Sequence, residues 1–209
     1  MKTKMLLLLL LFSLAGWKAV FAQPGQPGGA GTVTLTDEQD ETRLGLHLEI
    51  LEDPSGKLSI EDVTSPELDG RFVPSDTAVP SYGFTDSAYW VRFRVRNDGQ
   101  QAIDRLLELG FANMHFVDLY QPGPDGAGYV VKQTGTLRPF DTRALAYHHI
   151  VFPLSFPEES GQTFYLRFQS GGSITLPLTL WSSKAFLEMS LERELGLGIF
   201  YGALLIILV

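Results

Sequence analysis

Between residues 33 and 182 apolar and polar side chains alternate with a period of two, and clusters of Gly, Pro, Asp and Asn interrupt the alternation at short intervals. The clusters include Asp53-Pro-Ser-Gly56, Asn97-Asp-Gly99, Pro122-Gly-Pro-Asp-Gly126 and Ser170-Gly-Gly-Ser173. Successive strand side chains point to opposite faces, and those residue types supply turn conformations, so the pattern predicts strands joined by turns. Strands are expected over residues 46–51, 89–96, 105–110, 115–121, 128–135, 147–156, 162–169 and 173–181. Strands so spaced predict an all-β fold, a jelly-roll β-sandwich of two sheets. Residues 57–87 and 136–146 show no period and read as long connections, where binding often happens. Within the first, Ser59 followed three residues later by Asp62 predicts a capped helical turn.

After Trp181 the period changes. Ser182 or Ser183 caps an expected amphipathic helix over 183–196, with Phe186, Leu187, Met189, Leu191 and Leu195 apolar and Lys184, Glu188, Glu192, Arg193 and Glu194 charged. Residues 197–209 then carry no charge and read as the start of a transmembrane helix that the sequence cuts short, so membrane attachment is expected through this C-terminal helix. At the other end, the basic Met1-Lys-Thr-Lys4 precedes an apolar run and a Val20-Phe21-Ala22 cleavage site, which predicts a secretory signal peptide over 1–22. The Pro/Gly stretch 23–32 reads as a flexible linker, which leaves 33–182 as the sandwich.

Loss of the leader removes three lysines and no acid, taking the formal charge from −8 to −11. So acidic a surface offers nothing to a phosphate backbone, which excludes nucleic acid as a partner. Without cysteine the fold rests on its core alone. No nucleophile elbow, phosphate-binding glycine loop or zinc spacing occurs, so no catalytic residue and no metal ligand is assigned. The acids Asp37, Glu38, Asp40 and Glu41, or Glu52 and Asp53 with Glu61 and Asp62, leave calcium open as a cofactor.

The strand around Trp90 carries the candidate chemistry. Tyr89, Val91, Phe93 and Val95 share one face, leaving Trp90, Arg92, Arg94 and Arg96 on the other. Residues 162–169 repeat the design, with Phe164, Leu166 and Phe168 inward against Tyr165, Arg167 and Gln169. Rings stack on the apolar faces of flat or sugar-like ligands, and the arginine fork bonds hydroxyls or carboxylates. The expected ligand-binding residues are therefore Trp90, Arg92, Arg94, Tyr165, Arg167 and Gln169, joined by Tyr147 and His149 from the phase opposite Ile150. Alternatively, the tryptophan packs beneath a loop and the arginines pair with acids, or the same face docks a second copy or a partner receptor and takes no small ligand.

Five segments carry a family likeness: Leu51-Glu-Asp-Pro-Ser55, Gly83-Phe-Thr-Asp-Ser-Ala-Tyr-Trp-Val-Arg-Phe-Arg-Val-Arg-Asn97, Val117-Asp-Leu-Tyr120, Tyr165-Leu-Arg-Phe168 and Leu176-Pro-Leu-Thr-Leu-Trp181. In this order the chain resembles the type 2 extracellular domain of bacterial seven-transmembrane receptors with diverse intracellular signalling modules. The resemblance implies a jelly roll similar to carbohydrate-binding modules, facing the periplasm from the inner membrane. It also implies that ligand state passes through seven helices to a cytoplasmic output such as a histidine kinase or diguanylate cyclase. The expected partner is a carbohydrate or small polar ligand, sensed without catalysis.

Overall fold

Alternation in the longest central strand sets the architecture, because its two faces are both covered. The computed structural model describes residues 31–123, 126 and 128–207; the expected leader and residues 23–30 of the linker lie outside them. In chain order the elements begin β1 (Val33–Leu35), β2 (Glu41–Arg43), β3 (Glu49–Asp53), α1 (Ile60–Val63), α2 (Pro66–Asp69), β4 (Val73–Pro74), β5 (Ser81–Phe84) and β6 (Ala88–Asn97). They continue with β7 (Ile103–Leu109), β8 (Phe116–Pro122), β9 (Tyr129–Thr134), β10 (Ile150–Phe156), β11 (Ser160–Gln169), β12 (Ser173–Thr175), β13 (Leu178–Trp181) and α3 (Ser183–Ile207).

Two sheets face each other. The larger runs β4-β3-β6-β11-β8-β9, and β1 joins β6 in parallel at Val95–Asn97, beyond the stretch that β3 covers. The smaller runs β10-β7-β13-β2, and a short third sheet pairs β12 with β5. Val91, Phe93, Val95, Phe164, Leu166 and Leu119 of the large sheet meet Leu107, Leu109, Phe152, Leu154, Phe156, Leu178 and Leu180 of the small one in one continuous core. Phe164 stacks on Phe93 at 5.3 Å and meets Phe156 edge-on at 5.5 Å. Each such side chain contributes about 1.5–3 kcal/mol by leaving water, which the cysteine-free chain needs.

Turn chemistry fixes the ends of these strands. The fully buried Asn97 amide donates to the carbonyls of Gln101, Phe156 and Pro157 while its oxygen accepts from Gly99 N, tying the β6–β7 turn to the end of β10. Gly135 closes β9 at φ 142°, where a Cβ would stand 2.0 Å from the His115 carbonyl oxygen; no other residue fits.

The two-sheet β-sandwich agrees with the expected fold class, but element boundaries differ. Residues 46–51 open as a tight turn over Gly45–His47, and strand pairing begins only at Glu49. The expected strand 173–181 is two strands in two sheets, because Pro177 has no N–H to donate and the chain turns there, Leu178 N bonding Leu176 O. Strand β10 begins at Ile150, so Tyr147 and His149 lie in the irregular segment before it. The stretch 57–87, expected to be irregular, holds α1, α2, β4 and β5. Ser59 does cap α1, its hydroxyl accepting from Asp62 N while the Asp62 carboxylate accepts from Ser59 N.

Helix α3 runs unbroken over Ser183–Ile207, so no joint separates the expected juxtamembrane and membrane segments. Among residues 183–204 Phe186 alone of the apolar side chains is buried; Leu187, Leu191 and Leu195 are exposed, and the helix leaves the sandwich. No helix among the described residues is long and apolar enough to cross a membrane.

Candidate functional site

Cross-strand register assembles the expected face. Leu51, Trp90, Arg167 and Asp118 form one row across β3, β6, β11 and β8. Glu49, Arg92, Tyr165 and Tyr120 form the next. Paired residues share a face, so Trp90, Arg92, Arg94, Tyr165, Arg167 and Gln169 do stand together on the outer side of the large sheet.

That side is not open, contrary to the expectation of an exposed platform. Residues 54–72 fold over it as a roof, where Val63 and Phe72 with Leu58, Ile60 and Leu68 pack on Leu51, Trp90 and Tyr165 in a second core. Trp90 is 0 % exposed, and its ring lies 5.2 Å from Tyr120. Its Nε1 has no hydrogen-bond partner among the described residues. Arg92 is also buried, donating from Nε to Glu49 Oε2 and from Nη1 to Asp69 Oδ1, both at 2.5 Å, with its guanidinium 4.3 Å from the Phe72 ring centre. Burial alone would lower the Arg92 pKa, but the bonds and charges of Glu49 and Asp69 outweigh it and hold the group above the ordinary arginine range.

The remaining residues of the face are held at its margin. Arg94 donates to Glu49 Oε2 at 2.9 Å with two fifths of its side chain exposed. Arg167 donates to Gly56 O and Gln169 Oε1, each at 2.8 Å, so it staples the roof where the roof begins. Asp53 starts that turn, its carboxylate accepting from Ser55 N, Ser55 Oγ, Gly56 N and Leu58 N. Burial pushes the Asp53 pKa up, yet these four bonds together hold it below the usual carboxylate value.

Tyr147 and His149 belong elsewhere, contrary to their expected place on this face. They lie at the outer side of the small sheet, because the segment before β10 turns toward α3 instead of extending the strand. His149 Nδ1 stands 2.6 Å from Glu108 Oε1, and Trp181 Nε1 donates to Glu108 Oε2 at 2.8 Å. Arg193 of α3 brings Nη1 to 3.7 Å from Glu108 and to 3.4 Å from the Tyr147 hydroxyl, and Tyr147 packs edge-on against Phe186. Glu108 is 4 % exposed. Burial alone would raise its pKa, but the bonds from His149 and Trp181 and the charges of His149 and Arg193 hold it below its ordinary value.

Sequence reasoning missed Glu108, Trp181 and Arg193 as a group. The available signal was an acid set among Leu106, Leu107 and Leu109 in the apolar half of its strand. The acids weighed for calcium are partly spent, Asp53 on the turn and Asp62 on its helix cap. Among the described residues no group of three or more His, Cys, Asp and Glu side chains could hold a metal ion.

No curated protein matches the chain. A solved structure, CsCBM6-3 from Clostridium stercorarium in complex with cellobiose, is similar over 50 % of this chain and 81 % of that one, with 13 % identity and a TM-score of 0.21, a likeness too slight to carry an argument. The family described as 7TMR-DISM extracellular 2 matches residues 45–182, the sandwich almost from its first turn to the start of α3. The chain belongs to the 7TMR-DISM extracellular 2 family, the periplasmic, non-catalytic sensor domains of membrane receptors.

Proposed function

We propose that this domain binds a carbohydrate or related small polar metabolite in the periplasm and reports occupancy through α3, with the sandwich built as a jelly roll. The observation that carries the reading is the buried Glu108, which joins the loop at His149, the last strand at Trp181 and the departing helix at Arg193. A signal requires the ligand to favour one arrangement of that joint over another. Three side chains from separate parts of the chain meeting on one carboxylate supply a joint with two arrangements, held and released. Of the face around Trp90, Arg94, Arg167 and Gln169 are the members nearest solvent, and a ligand reaching this face meets them first.

Calorimetry of the full chain in detergent against glycans and small polar metabolites tests the reading. At least one saturable binder is expected, and its addition changes amide exchange in residues 183–193. Binding with no change there sinks the coupling, and the absence of any binder sinks the sensor reading.

Phe84, 85 % exposed on β5, favours a second reading in which the domain docks another copy or a partner receptor. Sedimentation that shifts with concentration, and stops shifting in Phe84→Ser, supports that reading; concentration-independent sedimentation removes it.

A further inference from the structure

A groove of about 510 Å³ lies beside the roofed face, between the β3–β4 edge and β5. Glu52 and Tyr89 stand opposite each other in register at its base, and Tyr82 of β5 lies over Tyr89 with ring centres 4.0 Å apart and planes 20° from parallel. Tyr89 is buried, whereas Tyr82 remains 36 % exposed and offers its ring to solvent. Asp76 and Arg71 complete the polar wall, and Val73 supplies an exposed apolar one. Glu52 accepts a neutral hydrogen bond from Ser87 Oγ at 2.7 Å. Among the described residues neither Glu52, Asp76 nor Arg71 forms an ion pair, so all three charges are free to meet a ligand.

We propose that this groove binds a small polyhydroxylated ligand carrying a protonated amine, its ammonium set against Glu52 and Asp76 and its ring face on Tyr82. The inference rests on the sensor reading and names the ligand class. Two carboxylates against one guanidinium favour a cation over an anion, and the electron-rich faces of stacked tyrosines favour the same sign. Arg71 donates to hydroxyls, and Val73 covers carbon. The phenol of Tyr82 agrees with this field: burial first, then Tyr89, Asp76 and Glu52, push its pKa up to about 12, so it stays protonated and donates.

A matched series of one ring with three charges tests the assignment: glucosamine, glucose and glucuronate, titrated calorimetrically into the full chain in detergent. Glucosamine is expected to bind about tenfold tighter than glucose, and glucuronate weakest, because a single desolvated charge contact changes affinity by about that factor. Asp76→Asn, an exposed substitution that leaves the fold alone, removes the advantage of glucosamine over glucose; Tyr82→Ala weakens both. Glucuronate binding as tightly as glucosamine, no binding by any of the three, or binding indifferent to both substitutions overturns the proposal. A different saturable ligand whose affinity ignores both substitutions overturns the groove while leaving the sensor reading intact, whereas a chain that binds nothing in the wider panel defeats both.

Discussion

The two outer faces of the sandwich each bury a charge, and they use it differently. On the large sheet Arg92 is satisfied by Glu49 on the neighbouring strand and by Asp69 in the roof directly above it. Every partner lies within the domain, and aromatic packing by Trp90, Phe72 and Tyr165 surrounds the pair. On the small sheet Glu108 is satisfied by a loop histidine, a strand tryptophan and an arginine on the helix that leaves the domain. Among the described residues no apolar layer comparable to the roof covers it, since Phe186 alone of helix residues 183–204 is buried. The first cluster closes the fold; the second ties the fold to the outgoing helix. A sensor needs both, because a rigid body transmits a change only through a contact weak enough to have two states.

The contrast can be broken by substitution, and the largest effect belongs to the roof. Trp90→Ala empties the middle of the second core and is expected to cost about 3–5 kcal/mol in denaturant unfolding, because a buried indole leaves a cavity the roof cannot fill. A loss under about 1 kcal/mol would mean that residues 54–72 do not seal the face. Arg92→Met comes next, at about 3 kcal/mol, since it leaves Glu49, only 12 % of its side chain exposed, with the more exposed Arg94 as its remaining cation. Asp69 bonds the same guanidinium at the same distance, but two thirds of its side chain faces water.

Glu108→Gln should cost less in global stability, about 1–3 kcal/mol, while loosening the first turns of α3. Because the folded Glu108 pKa lies below its ordinary value of 4.5, its ionised form is the one the fold prefers. Its contribution is therefore complete above that ordinary value and is lost as pH falls through the folded-state pKa. Thermal melts of wild type and Glu108→Gln should differ at pH 7 and converge on acidification; a gap that widens in acid would reverse the assignment. The smallest effect, at most about 1 kcal/mol, is expected for Asp69→Asn, because solvent screens an exposed partner. Equal losses from Asp69→Asn and Arg92→Met would show that the roof, and not Glu49, sets the value of the cluster.

Much of this arrangement was legible in the sequence, for a physical reason. Pleat alternation is local, so residues 89–96 and 163–169 sorted correctly by face, and the shared face of Trp90 and Arg167 follows from that phase, whereas their direct pairing depends on strand register. The roof was largely illegible because α1 and α2 are four residues each, too short for a helical period to emerge. Its local signals were the Ser59–Asp62 cap, which predicted α1, and the set of apolar residues Leu58, Ile60, Val63, Leu68 and Phe72 in a stretch otherwise read as irregular. Tyr147 and His149 were misplaced because the turn before β10 depends on Glu108 and α3, contacts that span about forty residues in the sequence and have no periodic trace. The break at Pro177 was visible as a proline but not as a change of sheet, which depends on β5 reaching β12.

At the centre stands the claim that Glu108 holds α3 to the sandwich independently of the roof. Amide exchange by mass spectrometry, on the full chain and on Glu108→Gln, measures it directly. Faster exchange is expected in residues 183–193 of the variant, with residues 54–72 as protected as in the wild type. Unchanged protection of the helix, or equal loss in helix and roof, would contradict it.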